Sequence, residues 1–302
     1  MGLTYECFDK RLLDLVDVDQ NLETVCTGFT FIEGPVWNHV TGCLTFNDIP
    51  VSRTYRLGPD KSVRLLRENT HKANGNAYDM EGNIIVCEHV RSCISRTDDM
   101  GRNPEVLVSH YGDKELNSPN DVVVRSDGCI FFTDPRFGRT PSRVGLARPQ
   151  DLDFQGVFCF HPESGELKLL ADDFENPNGL CFSPDESCLY VNDSPRKHIR
   201  RFRVGEDGAL QGGEVWAETI GPGEGLPDGM KVDSLENVYC CAQGGVHIFH
   251  KSGDYLGIIR VPEQTGNCAF GGTDMDILYL AASTTLYSFR INGHADKNGR
   301  KI

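Results

Sequence analysis

No apolar run in this 302-residue chain approaches the roughly 18 residues a membrane-spanning helix requires, which excludes a helical span. The first twenty residues, MGLTYECFDKRLLDLVDVDQ, have no basic start and no long apolar core, and Gly2 is not followed by the Ser or Thr of a myristoylation signal. A cytoplasmic protein is therefore expected. Basic charge is also in short supply: 30 Lys plus Arg stand against 44 Asp plus Glu, a formal net charge of −14. A general phosphate-backbone binder needs a basic face, so nucleic acid is not an expected partner, and neither is a membrane. A negative surface is compatible with a soluble enzyme acting on small molecules. Twelve cysteines are present, but none forms a C-x-x-C pair. Without a secretory context they read as small apolar residues in a reducing compartment, not as a disulfide framework.

Glycine is abundant, at 32 residues, and so many glycines in an ordered chain imply many turns between short strands. Length alone suggests two domains of roughly 150 residues, although all-β folds of this size are often one unit. Internal repetition favours the single unit. One pattern recurs as EGPVWNHVTGCLTFND, NGNAYDMEGNIIVCEH, NDVVVRSDGCIFFTD, NGLCFSPDESCLYVND, DGMKVDSLENVYCCAQ and NCAFGGTDMDILYLAA: a polar anchor, a β-like run, a tight turn and a second β-like run. The anchors are Glu33, Asn74, Asn120, Asn178, Asp228 and Asn267, at intervals of 41, 46, 58, 50 and 39 residues. The same register puts Cys43, Cys129 and Cys188 at one repeat position. A second hairpin follows each of the first five copies, as in GVFCFHPESGELKLL, where Val, Ile, Phe and Tyr runs are broken by turn residues. Four strands per repeat in six copies predict an all-β fold, a six-bladed β-propeller of four-stranded antiparallel blades occupying residues 1–302 as one domain. The sixth copy runs out of chain, so residues 1–30 are expected to supply its missing outer strand or strands and close the ring. LLDLVDV within that segment reads equally as strand or short helix, and the tail ADKNGRKI is expected to fray.

In a propeller the first strand of each blade lines the central channel, so the six anchors should gather at one mouth. A ring of carboxylate and carboxamide oxygens suits a hard cation such as calcium, and two carboxylates balance one divalent charge. No anchor is His or Cys, which disfavours structural zinc. Strand direction puts the loops after the second strands at the same mouth. These carry Asp48, Glu88 and His89, Asp134, Asp193 and Gln243. The longest, from Pro135 to Gln155, holds Arg136, Arg139, Arg143 and Arg148, with Arg125 just before it, and reads as a wall or lid.

FIEGPVW, NSPNDVVV with FTDPRFG, ENPNGLCFSPD and GLPDGMKVD stand at blade spacing over nearly the whole chain, from about Phe31 to Tyr287. They resemble the gluconolactonase, regucalcin and luciferin-regenerating family, and HKANGNAYDMEGNIIVCEH is similar to its bacterial gluconolactonase branch. The resemblance implies a divalent metal in the channel, calcium first and magnesium, manganese or zinc as alternatives. It implies Glu33, Asn178 and Asp228 as metal ligands, with Asn120 a direct or water-bridged one. It further implies that Asn74 and Asn120 hold substrate, with Lys72 at a neighbouring basic position where regucalcin-type members carry arginine. The expected activity is hydrolysis of a small-molecule lactone of the sugar type, with the metal polarising the carbonyl and Asp228 assisting attack by water. His89 is a second candidate proton carrier or a hydrogen-bonded strand-end residue. Hydrolysis of another ester-like substrate, such as an aryl lactone or an organophosphate, and ligand binding without catalysis are the alternatives.

Overall fold

The computed structural model describes residues 4–17 and 20–292; the tail from Ala295 lies outside them. Strands dominate. Among the described residues the only helical segments are the single α-helical turn Leu12–Leu15 and the 3-10 turn Phe137–Arg139, and no helix is long and apolar enough to cross a membrane. Six antiparallel blades form a β-propeller, as the repeats predict. The innermost strands are Ile32–Asn38, Ala73–Tyr78, Val122–Val124, Pro177–Phe182, Met230–Val232 and Thr265–Gly271. In each blade the chain then steps outward strand by strand.

Closure uses the N-terminal segment twice. Glu23–Thr27 pairs with Thr285–Arg290 and becomes the outermost strand of blade 6, which is the expected closure. Tyr5–Cys7 pairs with Tyr255–Arg260 and gives blade 5 a fifth strand, which the repeat pattern had not indicated. Between these strands, LLDL forms the helical turn. Its Leu12 and Leu15 are buried against Tyr239, Leu256 and Phe289 of blades 5 and 6. Tertiary burial thus decides a segment whose local pattern was ambiguous.

Apolar clusters fill the seams between neighbouring blades. Between blades 1 and 2 the cluster shrinks to Ala73, Ile84 and Val86, with Tyr78 beside it. A polar clasp takes over there: Asp99 accepts hydrogen bonds from the Arg56 guanidinium (2.8 Å), Tyr78 Oη (2.6 Å) and Asn38 Nδ2 (3.0 Å).

At the axis the inner strands come unusually close. Gly34, Gly75, Gly179 and Gly229 directly follow four of the anchors. A Cβ on any of them would overlap the next blade: Asn74 O, Asn120 O, Asp228 O and the Asn267 amide respectively. The ladder is irregular beside the anchors, with register shifts between Glu33 and Val36, Ala73 and Asn76, and Pro177 and Leu180. Such bulges re-aim side chains. In blades 1, 3 and 4 a side chain from the second strand then ties the blade to the next anchor's carbonyl. Asn47 Nδ2 donates to Asn74 O (2.6 Å), Thr133 Oγ1 to Asn178 O (2.8 Å) and Asn192 Nδ2 to Asp228 O (2.5 Å).

The sixth anchor differs from expectation by one residue. Thr265 pairs with Ala282 as Ile32 pairs with Asp48 and Ala73 with Glu88. Gly266 therefore holds the anchor position, and Asn267 holds the position that is glycine in blades 1, 2, 4 and 5. Aligning the copies on a polar residue missed this, because the register is set by the pairing partners. A Cβ on Gly266 would collide with the Glu33 carboxylate, so the missing side chain leaves space that Glu33 uses.

Truncating Leu12 to Ala is expected to lower unfolding free energy by about 2–5 kcal/mol, because the side chain is wholly buried in the closure seam. Leu13→Ala, at a side chain 41% exposed, should change it by less than about 0.5 kcal/mol. Denaturant midpoints of the two variants check this; equal losses would contradict the closure described.

Candidate active site

Five anchors converge on one mouth of the channel. Glu33, Asn74, Asn120, Asn178 and Asp228 line a cavity of about 410 Å³ together with His89 and Ser194. Phe31, Ile49, Leu226 and Pro227 supply apolar walls, and Phe137, Thr140, Ser142, Arg143 and Val144 of the long loop supply another side. Glu33, Asn74, Asn120 and Asn178 are buried at the base, whereas Asp228 is only half-buried and faces the open volume.

The three carboxamides are held in one sense. Asn74 Nδ2 lies 3.1 Å and Asn120 Nδ2 3.5 Å from His89 Nε2. The other ring nitrogen, Nδ1, lies 3.0 Å from the Val144 carbonyl, which can only accept. Nδ1 therefore carries the proton and Nε2 accepts from both amides. Burial pushes the His89 pKa down to about 4, so the ring is neutral near pH 7. On blade 4, Asn178 Nδ2 donates to Ser194 Oγ (3.1 Å), which in turn donates to Pro227 O (2.6 Å). With its nitrogen tied back, each amide can turn its Oδ1 to the cup. His89 is thus a positioning residue, and Ser194 is a second one that sequence reasoning missed. Its signal was available: it directly follows Asp193 at the end of a second strand, on the anchor face.

The two carboxylates are poorly matched to their surroundings. Burial raises the Glu33 pKa to about 7 despite the Gly34 N–H that donates to it at 2.7 Å. Burial, and then the neighbouring Glu33 charge, raise Asp228 well above the usual carboxylate range. Below the cup, Asp121 is also raised, chiefly by burial, and Lys231 opposes that shift. Lys231 Nζ donates to Met230 O (3.0 Å) and to Asn267 Oδ1 (3.4 Å). Three channel carboxylates therefore face the Lys231 ammonium below and the Arg143 guanidinium at the rim, leaving one negative charge uncompensated when all are ionised. Two carboxylates and three oxygen-presenting amides fit a hard divalent cation.

Other expected site residues stand elsewhere. Lys72 does not line the cup; its Nζ donates to Arg143 O (2.8 Å) and Pro50 O (3.3 Å) and so holds the long loop. Asp48, Asp134 and Asp193 are buried behind the cup. Each accepts two backbone N–H groups from the segment leading into its own blade's inner strand: Thr30 and Phe31, Asn117 and Ser118, Glu175 and Asn176. Glu88 accepts from Ser95 Oγ (2.7 Å) and pairs with Arg67 and Arg91.

The loop 135–155 walls one side of the cup and is hydrogen-bonded to the neighbouring blades. Arg139 donates to Asn117 O (2.7 Å), Leu116 O (2.5 Å) and Glu115 (2.6 Å). Arg148 donates to His89 O (2.6 Å), Ser92 Oγ (2.6 Å) and Gly138 O (3.1 Å). Gly138 lies so close to His89 and Ser118 that a Cβ would clash with both. Arg143 behaves differently. Its guanidinium stacks on Phe31 at 3.8 Å from the ring centroid and reaches Gln264 Oε1 at 3.3 Å, at the rim of the cup.

Residues 31–284 match the family described as the SMP-30/Gluconolactonase/LRE-like region. A gluconolactonase of Zymomonas mobilis subsp. mobilis is 30% identical over 94% of this chain and 85% of its own length. A pentonolactonase of Haloferax volcanii is 27% identical over 83% of this chain and 81% of its own. Among solved structures, a gluconolactonase from Xanthomonas campestris superposes with a TM-score of 0.88 at 33% identity, covering 95% of this chain and 94% of that one.

The charge deficit generates a stability prediction. Without a cation, folded Glu33 keeps its proton up to about pH 7, whereas a free glutamate releases it near 4.5. The folded state then binds more protons than the unfolded one in that window, so stability falls as pH rises through it. Asp134, raised by burial to about 7, acts in the same sense. His89, depressed to about 4, acts in the opposite one, costing stability as pH falls below its ordinary 6.5. Neither depends on a cation, so the diagnostic is a difference. Saturating calcium should raise the thermal midpoint more at about pH 8 than at about pH 5; an equal rise at both would contradict the assignment.

Proposed function

The chain belongs to the SMP-30/gluconolactonase/LRE-like family, and from that premise we propose that it is a lactonase opening the ring of a sugar-type lactone in a divalent-cation-dependent reaction. The observation that carries the reading is the cup itself: Glu33 and Asp228 share it with three amides whose nitrogens are tied back so that their oxygens are presented. In this reading Glu33, Asn178 and Asp228 hold the ion, with Asn120 directly or through water. Calcium fits the all-oxygen donor set best. An ion held there would polarise a lactone carbonyl and lower the pKa of water. The names of the similar gluconolactonases and the pentonolactonase support a cyclic ester of a polyhydroxy acid as substrate.

The chain's own residues then have distinct tasks. Asp228, the half-buried carboxylate, reaches the substrate volume and takes a proton from the attacking water as the new C–O bond forms. On breakage of the ring C–O bond it returns that proton to the departing alkoxide, leaving an open hydroxy acid. Glu33, buried and confined beside Gly266, cannot exchange protons as freely and contributes charge. Asn74 and Asn120, oriented by His89, meet substrate hydroxyls. Arg143, stacked on Phe31 at the rim of the cup, takes the oxygen-rich end of the substrate or the carboxylate of the product. Phe31 and the loop wall exclude bulk water from one side.

Asp228→Asn preserves shape but removes the base and one ion-holding charge. It should reduce lactone hydrolysis by at least about 10²-fold while the thermal unfolding transition remains cooperative. Proton release from glucono- and pentonolactones measures this. Full activity in Asp228→Asn, or in wild-type protein stripped of divalent ions, would overturn the mechanism.

A further inference from the structure

At the opposite end of the blades from the cup, blade 3 gathers two thiols and an imidazole on one sheet face. Ile130 pairs with Phe160 and Phe131 with Cys159. Cys129 is therefore opposite His161, and Cys159 precedes His161 by two residues, so all three side chains project from the same face within diagonal reach. Cys129 Sγ lies 3.0 Å from His161 Nδ1, and Cys159 Sγ 3.5 Å from Nε2. One ligating atom from each falls within 4.8 Å of the others. The two thiols are buried and the imidazole is half-buried, so the cluster is closed by protein on one side and reachable on the other.

We propose that Cys129, Cys159 and His161 form a second cation site, distinct from the cup, that takes a soft divalent ion of the zinc class. The donor sets separate the two sites. The cup offers only oxygen and suits a hard cation; this cluster offers two sulfurs and one nitrogen and selects against calcium. Three protein ligands leave a fourth tetrahedral position for water on the accessible side. Binding replaces two S–H bonds by two sulfur–metal bonds and releases both protons to solvent. The nearby Arg125 guanidinium does not oppose the ion with a free charge, since its Nε and Nη2 are both engaged by Asp127. The repeat provides an internal comparison. Cys188 occupies the same repeat position in blade 4 but faces Arg203, and Cys43 in blade 1 turns its sulfur to Thr41 O. Cysteine at this position is common to three blades, and only blade 3 supplies the imidazole and second thiol that make a site. The bound ion would staple the second and third strands of that blade.

The test is a cobalt titration of reduced, metal-stripped, full-length protein with calcium in excess to occupy the cup. One equivalent of cobalt should develop a near-ultraviolet thiolate-to-cobalt charge-transfer band, and zinc should abolish it. Cys129→Ser and Cys159→Ser should each lose the band, whereas Cys188→Ser should keep it. Loss of an outer partner of a metal site costs about 10–100-fold in affinity, so His161→Gln, which removes a ligand, should weaken cobalt binding by at least about 10-fold. Should either serine variant fail to fold, as read by far-ultraviolet circular dichroism, His161→Gln at its half-exposed position decides. No band in the wild type, a band that survives in folded Cys129→Ser, or unchanged affinity in His161→Gln would overturn the site.

Discussion

Glu33 and Asp228 share a channel mouth in which burial works against the charge of both, and the rest of the molecule is arranged so that they cannot move apart. Glycines beside both let neighbouring inner strands touch, and Asn192 reaches from blade 4 to the Asp228 carbonyl. Gly266 removes the side chain that would otherwise displace Glu33. Lys231 and Asn267 occupy the channel one layer below, where they compensate Asp121 without filling the cup. Ring closure by Glu23–Thr27 keeps the sixth blade, and hence Gly266, in place. A scaffold alone would have no reason to hold two carboxylates in this way. The proposed cation site would, because their mutual repulsion would be relieved when an ion binds.

Much of this was legible from the repeat. Blade number, strand count, the outer closing strand and the convergence of Glu33, Asn74, Asn120, Asn178 and Asp228 all follow from six copies of one pattern, because a propeller maps sequence register directly onto radial position. What escaped the sequence were features set by partners in other blades. Asn267 looked like an anchor by its residue type, yet its strand pairing places it in the lower layer. Lys72 looked like a substrate contact, yet its ammonium finds two carbonyls of adjoining loops. Asp48, Asp134 and Asp193 were correctly placed at the ends of second strands, but their chemistry is backbone capping behind the cup. Arg139 and Arg148 belong to the same group: the arginines of the loop read as a wall or lid bond it to the body of the propeller.

His89 shows how position and role separate. Its place on the anchor face could be deduced from strand direction, but the direction of its two hydrogen bonds could not. The Val144 carbonyl fixes the tautomer, the tautomer fixes which end of Asn74 and Asn120 faces the cup, and that orientation turns two amides into oxygen donors. In the proposed mechanism the proton-carrying role therefore falls to Asp228. Its side chain is less buried than that of Glu33.

The central claim is that the cup exchanges protons on its carboxylates for one divalent ion. It is tested most directly by calorimetric titration of calcium into the metal-stripped protein near pH 7 in buffers of different ionisation enthalpy. The account predicts one ion per chain bound with net proton release, and loss of both binding and release in Glu33→Gln. Binding without proton release, or binding that persists unchanged in Glu33→Gln, would contradict it.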